Sequence, residues 1–98
     1  MALPAEFHPE AQAEFDAAAD RYQRERHGLG AEFVAAVEAA VGRAAGTPLA
    51  GVPLAADVRR VFVRRFPYAV LYAPESNRLL VLAVAHLRRR PGYWRHRR

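Results

Sequence analysis

The sequence has no cysteine and no lysine among its 98 residues. Without cysteine there is no disulfide framework, no thiolate nucleophile and no zinc site built on sulfur. Without lysine, all fifteen basic side chains are arginines. Arginine stabilises negative charge but stays protonated, so it is a poor general base. Four histidines, His8, His27, His86 and His96, are scattered without metal-ligand spacing, so neither a metal nor another cofactor is expected. No uninterrupted apolar run reaches the roughly 18 residues of a membrane span. The opening MALPAEFHPE lacks the basic start and apolar block of a signal peptide. A cytoplasmic protein with no membrane partner is the expectation.

Acidic residues are scarce in one half only. Residues 59–98 carry one, Glu75, against eleven arginines, whereas residues 1–58 carry nine against four arginines. The halves therefore stand at +10 and −5 within a net charge of +5. Such asymmetry predicts a polyanionic partner for the C-terminal half, either nucleic acid or an acidic protein segment. Hydrophobic content of 52% and charged content of 26% suit one globular domain over residues 1–98, with a basic tail from about residue 88 to 98.

The apolar pattern orders the elements. LPAEF alternates as a short strand at residues 3–7, with Pro4 restricting it to an edge or a strand start. Pro9 and Glu10 then suit a helix N-terminus, and Gly28 suits the position just past its C-terminus. Ala11, Phe15, Ala18 and Tyr22 fall on one helical face. A second helix, about residues 30–45, presents Phe33, Val37, Ala40, Val41 and Ala44. The short connection makes the two helices antiparallel neighbours. Residues 46–57, with two prolines and two glycines, read as a loop. VRRVFVRRF, YAVLYA and RLLVLAVAHL follow as three strands of a meander, broken at Pro67 and at PESN. The expected fold is α+β: a β-α-α-β-β-β two-layer sandwich, with an antiparallel helical hairpin packed on a small antiparallel sheet.

Strand alternation places Arg60 and Arg64 on one sheet face and Arg59 and Arg65 on the other. Arg88, Arg89 and Arg90 leave the end of the last strand. In RRRPGYWRHRR, arginine forks suit phosphate or carboxylate and aromatic faces suit bases. Trp94 instead serves as a hydrophobic plug if it folds back over the core edge. Tyr68 and Tyr72 read as packing residues. His86 ends a buried strand, either as a satisfied structural histidine or as a proton-transfer group. His96 lies in a tail expected to be mobile.

VRRVFVRRFPYAVLY with LLVLAVAHLRRRPGYW, preceded by HPEAQAEFDAAADRY and LGAEF, resembles the RelE/ParE superfamily of bacterial type II toxins over nearly the whole chain. The resemblance implies a growth-inhibiting toxin neutralised by a cognate acidic antitoxin. RelE-like members cut messenger RNA on the ribosome; ParE-like members inhibit DNA gyrase. Arg60, Arg89 and Tyr93 match the nuclease pattern, and His86 could replace a basic group. Phe62 and Ala69 depart from it, Ala69 standing where the pattern has an arginine. The resemblance therefore favours a ParE-like gyrase inhibitor without a catalytic set, with a metal-independent ribosome-dependent endoribonuclease as the alternative. Candidate residues for the nuclease are Arg60, His86, Arg89 and Tyr93. Candidates for target or antitoxin contact are Arg59, Arg60, Arg64, Arg65, Arg88, Arg89, Arg90, Tyr93 and Trp94.

Overall fold

A computed structural model describes residues 2–98. Strand β1 (Ala5–Phe7) leads into helix α1 (Pro9–Glu25) and helix α2 (Leu29–Gly46). Strands β2 (Val52–Ala55), β3 (Val58–Phe62), β4 (Tyr68–Pro74) and β5 (Leu79–His86) complete one sheet, in the order β1-β5-β4-β3-β2. The helical hairpin carries the chain across the sheet to its far edge, and the meander then returns strand by strand to lie beside β1.

Local chemistry sets the helix ends. The His8 ring Nδ1 accepts the Glu10 N–H at 3.1 Å, and Pro9 begins α1. Gly28 turns the chain with φ of 90°, a left-handed conformation that glycine adopts without steric cost. Gln23 Oε1 accepts the N–H groups of Gly28 and Gly30, at 3.0 and 3.2 Å. A side chain at Gly30 would meet the Ala19 carbonyl at 2.7 Å, so glycine is what lets the two helices approach here.

The helices cover one sheet face. Phe33 is fully buried at the centre of an aromatic cluster, with ring centroids 5.0 Å from Tyr22, 5.2 Å from Phe66 and 5.0 Å from Tyr68. Phe33→Ala is expected to destabilise the fold by about 3–5 kcal/mol, because α2 cannot close over the cavity it leaves. Urea unfolding of the variant checks this; a loss below about 1 kcal/mol would show that the cluster is not the keystone of this layer.

The strands depart from expectation at three places. The sheet is mixed: β1 pairs parallel with β5, Ala5 opposite Leu79. The loop expected at 46–57 contains a 3₁₀ turn (Pro48–Ala50) and strand β2. Pro53 conceals that strand from propensity reading, but an edge strand needs only one bonded side, and β2 is an edge. Strand β3 stops at Phe62, and Arg65 takes φ of 73° in the following turn, so Arg64 and Arg65 leave the sheet.

The face turned away from the helices is a second apolar core rather than a field of charge. Ala69, Leu71, Leu80, Leu82 and Ala85 pack there beneath Trp94, which is only 7% exposed. A bulge in β5 makes both layers possible. Leu71 pairs Ala83 and Tyr72 pairs Val81, leaving Leu82 as an extra residue that shifts the alternation. The tail expected to be mobile is folded over this face in successive tight turns, with Arg95 N–H bonded to the Gly92 carbonyl and Arg97 N–H to the Trp94 carbonyl.

Candidate functional site: a cationic cavity at the end of β5

Strand register assembles the site. Phe62 on β3 pairs Ala69 on β4, which pairs Ala85 on β5, and Tyr68 pairs His86. The two alanines leave the sheet shallow at this end. A cavity of about 250 Å³ opens over them, bounded by Arg60 and by the tail from His86 to Arg95. Arg60 on β3 shares its wall with three candidates from one stretch of chain, His86, Arg89 and Tyr93, together with Arg90. Phe62 does not reach it; its ring is 48% exposed elsewhere, with the Arg60 guanidinium carbon 4.7 Å from its centroid.

Each wall residue is held differently. Arg60 Nε is buried without a hydrogen-bond partner. The guanidinium carbons of Arg89 and Arg97 lie 3.9 and 4.9 Å from the centroid of the Tyr93 ring. The Tyr93 hydroxyl is buried with no well-formed hydrogen bond. Burial first, and then the neighbouring Glu14 carboxylate, push that hydroxyl far above the ordinary phenol range. His86 Nδ1 accepts the Arg88 N–H at 3.1 Å, which leaves Nε2 as the protonated nitrogen of the neutral ring. Its ring meets Tyr68 edge-on, 5.2 Å between centroids.

Charge pairing separates two sets of arginines. Arg26, Arg65, Arg78, Arg97 and Arg98 have carboxylate partners. Among the described residues, no carboxylate pairs with Arg60, Arg88, Arg89, Arg90 or Arg95. Arg21, Arg24, Arg43, Arg59 and Arg64, also without a carboxylate among the described residues, lie elsewhere, while Arg60, Arg89, Arg90 and Arg95 of the unpaired set stand around the cavity. Such a wall holds an anion well. It moves protons poorly: arginine stays charged, and the Tyr93 hydroxyl is inaccessible and a very weak acid.

Other candidates lie apart from the cavity. Arg59 Nη1 donates to the carbonyls of Leu49 and Gly51, both at 2.8 Å, and so fastens the 3₁₀ turn. Arg64 is exposed in the β3–β4 turn, and Arg65 pairs with Glu32 at 2.9 Å. Arg88 is exposed beside the cavity. Trp94, expected as a contact residue, is buried as the plug of the second core. Two residues of consequence were not foreseen. Arg97 is 6% exposed, its Nη1 donating to the Leu82 carbonyl at 3.1 Å and its Nη2 to Glu14 at 2.8 Å. Glu14 also accepts the Val84 N–H at 3.1 Å. Because β1 ends opposite Val81, this pair satisfies the backbone of β5 where a neighbouring strand is lacking. No local signal marks either residue, since Glu14 and Arg97 are 83 positions apart.

Further ion pairs hold the tail. His96 lies 3.0 Å from Glu10, Arg97 Nε 2.9 Å from Glu10, and Arg98 bridges Asp57 and Glu75. The His96 contact holds the Glu10 carboxyl below its usual range, and the Arg78 and Arg98 contacts do so for Glu75. A carboxyl with a lowered folded value adds stability above its unfolded value, about 4.3 for Glu, and loses it as pH falls through the folded value. Trp94 is the single tryptophan, so its fluorescence reports the tail. Its emission is expected to shift red below about pH 4, ahead of the helical signal in circular dichroism. Emission that stays blue until the helices melt would show that these pairs do not fasten the tail.

The sequence model describing the ParE toxin of the parDE type II toxin–antitoxin system matches residues 5–91. The chain belongs to the ParE toxin family. A solved chain from the chromosomal ParDE toxin–antitoxin system of P. aeruginosa shares its fold, with a TM-score of 0.74 at 16% identity, over 86% of this chain and 95% of that one. No curated protein sequence matches the chain. Within the ParE family fold, the cavity at the end of β5 keeps three of the basic and aromatic positions that the RelE-like resemblance implied. It presents Ala69 as bare floor where that pattern has an arginine. Among the described residues no helix is long and apolar enough to cross a membrane, and no cluster of His, Asp and Glu has metal-binding geometry.

Proposed function

We propose that this ParE toxin inhibits DNA gyrase through its C-terminal segment, residues 86–94, and that a cognate acidic antitoxin competes for the same arginines. The observation that carries this reading is the cavity wall: uncompensated arginines over a rigid β5, with no accessible group suited to proton transfer except His86. RNA cleavage by 2′-hydroxyl attack needs a base, an acid and cations around the phosphorane. Only the cations are plentiful here. Membership of the ParE family supports the same target class.

The deciding assay is supercoiling by purified gyrase with added toxin, scored for inhibition and for accumulation of cleaved DNA complexes. Inhibition reversed by the antitoxin is the expected result. Unchanged supercoiling at saturating toxin would end the reading. A ribosome-dependent nuclease would instead give codon-positioned messenger cuts after induction that vanish in His86→Ala and Tyr93→Phe.

A further inference from the structure

A second cleft lies on the helix side of the β5 end, across His86 and Arg89 from the cavity described above. It has a volume of about 330 Å³ and sits between the later turns of α1 and the free edge of β5. Arg21, Tyr68, His86, Arg89 and Glu14 line it.

Its cationic groups are each fastened at one point and free elsewhere. Arg21 Nη2 donates to the Tyr68 hydroxyl. Arg89 is stacked on the Tyr93 ring, 3.9 Å from its centroid, which fixes the plane of its fork. His86 Nδ1 is occupied by the Arg88 N–H, so Nε2 carries the donor proton. Neither Arg21 nor Arg89 has a carboxylate partner among the described residues. Glu14 is the one acid on the wall. Its two oxygens are occupied, Oε1 by the Val84 N–H and Oε2 by Arg97, which also balances its charge.

Donors on α1, at the end of β5 and in the tail thus line one cleft, whose single carboxylate, Glu14, is already paired. A carboxylate offers two oxygens in one plane, whereas a phosphate offers oxygens on several sides and matches arginine forks. We propose that this cleft is a phosphate-binding site, with Arg21, His86 Nε2–H and Arg89 as its donors. Donors already held in place lose little freedom on binding, which favours the ligand. His86 and Arg89 also belong to the targeting segment, so Arg21, on the helical hairpin, is the donor that tells this site from that one.

The test is a titration of the ¹⁵N-labelled full chain with inorganic phosphate at constant ionic strength, followed by NMR. Saturable shifts at the amides of Arg21, His86 and Arg89 are expected. Arg21→Gln should weaken binding at least about tenfold, since one charge-assisted pair is removed. Arg21→Lys should keep part of it, and Arg24→Gln, one turn away on the exposed face, should bind as the parent does. Thermal midpoints of the variants exclude unfolding as the cause. A second arm titrates a fluorescent single-stranded oligonucleotide. Competition with phosphate at the same amides, with a salt slope reduced by about one in Arg21→Gln, identifies a polynucleotide phosphodiester. Binding of pyrophosphate without the oligonucleotide identifies a small phosphorylated ligand. Non-saturating shifts spread over the tail arginines, or phosphate binding undiminished in Arg21→Gln, would overturn the proposal. Gyrase inhibition is read in a separate assay, so either conclusion can fail without the other.

Discussion

Arg97→Ala is expected to lower the stability of this ParE toxin by about 3 kcal/mol and to bring Trp94 into solvent. Breaking a buried ion pair by removing one partner costs about 3–5 kcal/mol, because the other charge is left buried and unpaired. The lower end applies because the Glu14 side chain keeps 16% of its exposure. The Leu82 carbonyl loses its donor as well, on the side of β5 where β1 no longer runs beside it. At about 4–8 °C per kcal/mol for a domain of this size, the thermal midpoint should fall by more than 10 °C. Tryptophan emission should shift red at temperatures where the helices persist, since the Trp94 plug depends on the turns that Arg97 anchors. A drop of less than about 1 kcal/mol with unshifted emission would mean that the tail holds its place by Trp94 burial alone.

Replacing Arg88, Arg89 and Arg90 together by alanine should separate function from folding. All three side chains are exposed and none has a carboxylate partner, so each contributes on the order of 0–1 kcal/mol to stability. Arg89 adds its contact with the Tyr93 ring, about 0.5–1 kcal/mol. The fold should therefore survive with a modestly lower midpoint. Binding is another matter. Truncating one side of desolvated charge pairs costs about 2–5 kcal/mol, so antitoxin affinity should fall roughly 30- to 4000-fold. Growth arrest on induction should disappear, and gyrase supercoiling should proceed at the parent's inhibitory concentration. A folded triple variant that remains toxic and antitoxin-sensitive would move the functional surface away from this segment, towards Arg60 and the cavity floor.

These two variants also mark where sequence reading reaches its limit. Elements governed by neighbours in the chain were legible. The face formed by Ala11, Phe15 and Ala18, the turn at Gly28, and the packing roles of Tyr68 and Tyr72 follow from helical and strand periodicity and from glycine's freedom at positive φ. Sequence also marked the basic half and gathered Arg60, His86, Arg89 and Tyr93 as one candidate set, and these four meet at one cavity. Alternation failed where a single residue breaks it. The extra Leu82 in β5 shifts which side chains face each layer, and the turn after Phe62 removes Arg64 and Arg65 from the sheet. Composition made the tail look solvated, because six of its eleven residues are arginine. Whether such a tail is free depends on partners far along the chain: Glu10 and Glu14 on α1, Asp57 before β3 and Glu75 in the last hairpin. Chain-local pattern carries the helical hairpin, the three strands of the meander and the sign of the charge. Which arginines are neutralised and which stay open to a partner is settled by the folding of the tail over the sheet. Ion pairing depends on distance in space, and the 83-residue separation of Glu14 and Arg97 leaves no trace in any local pattern.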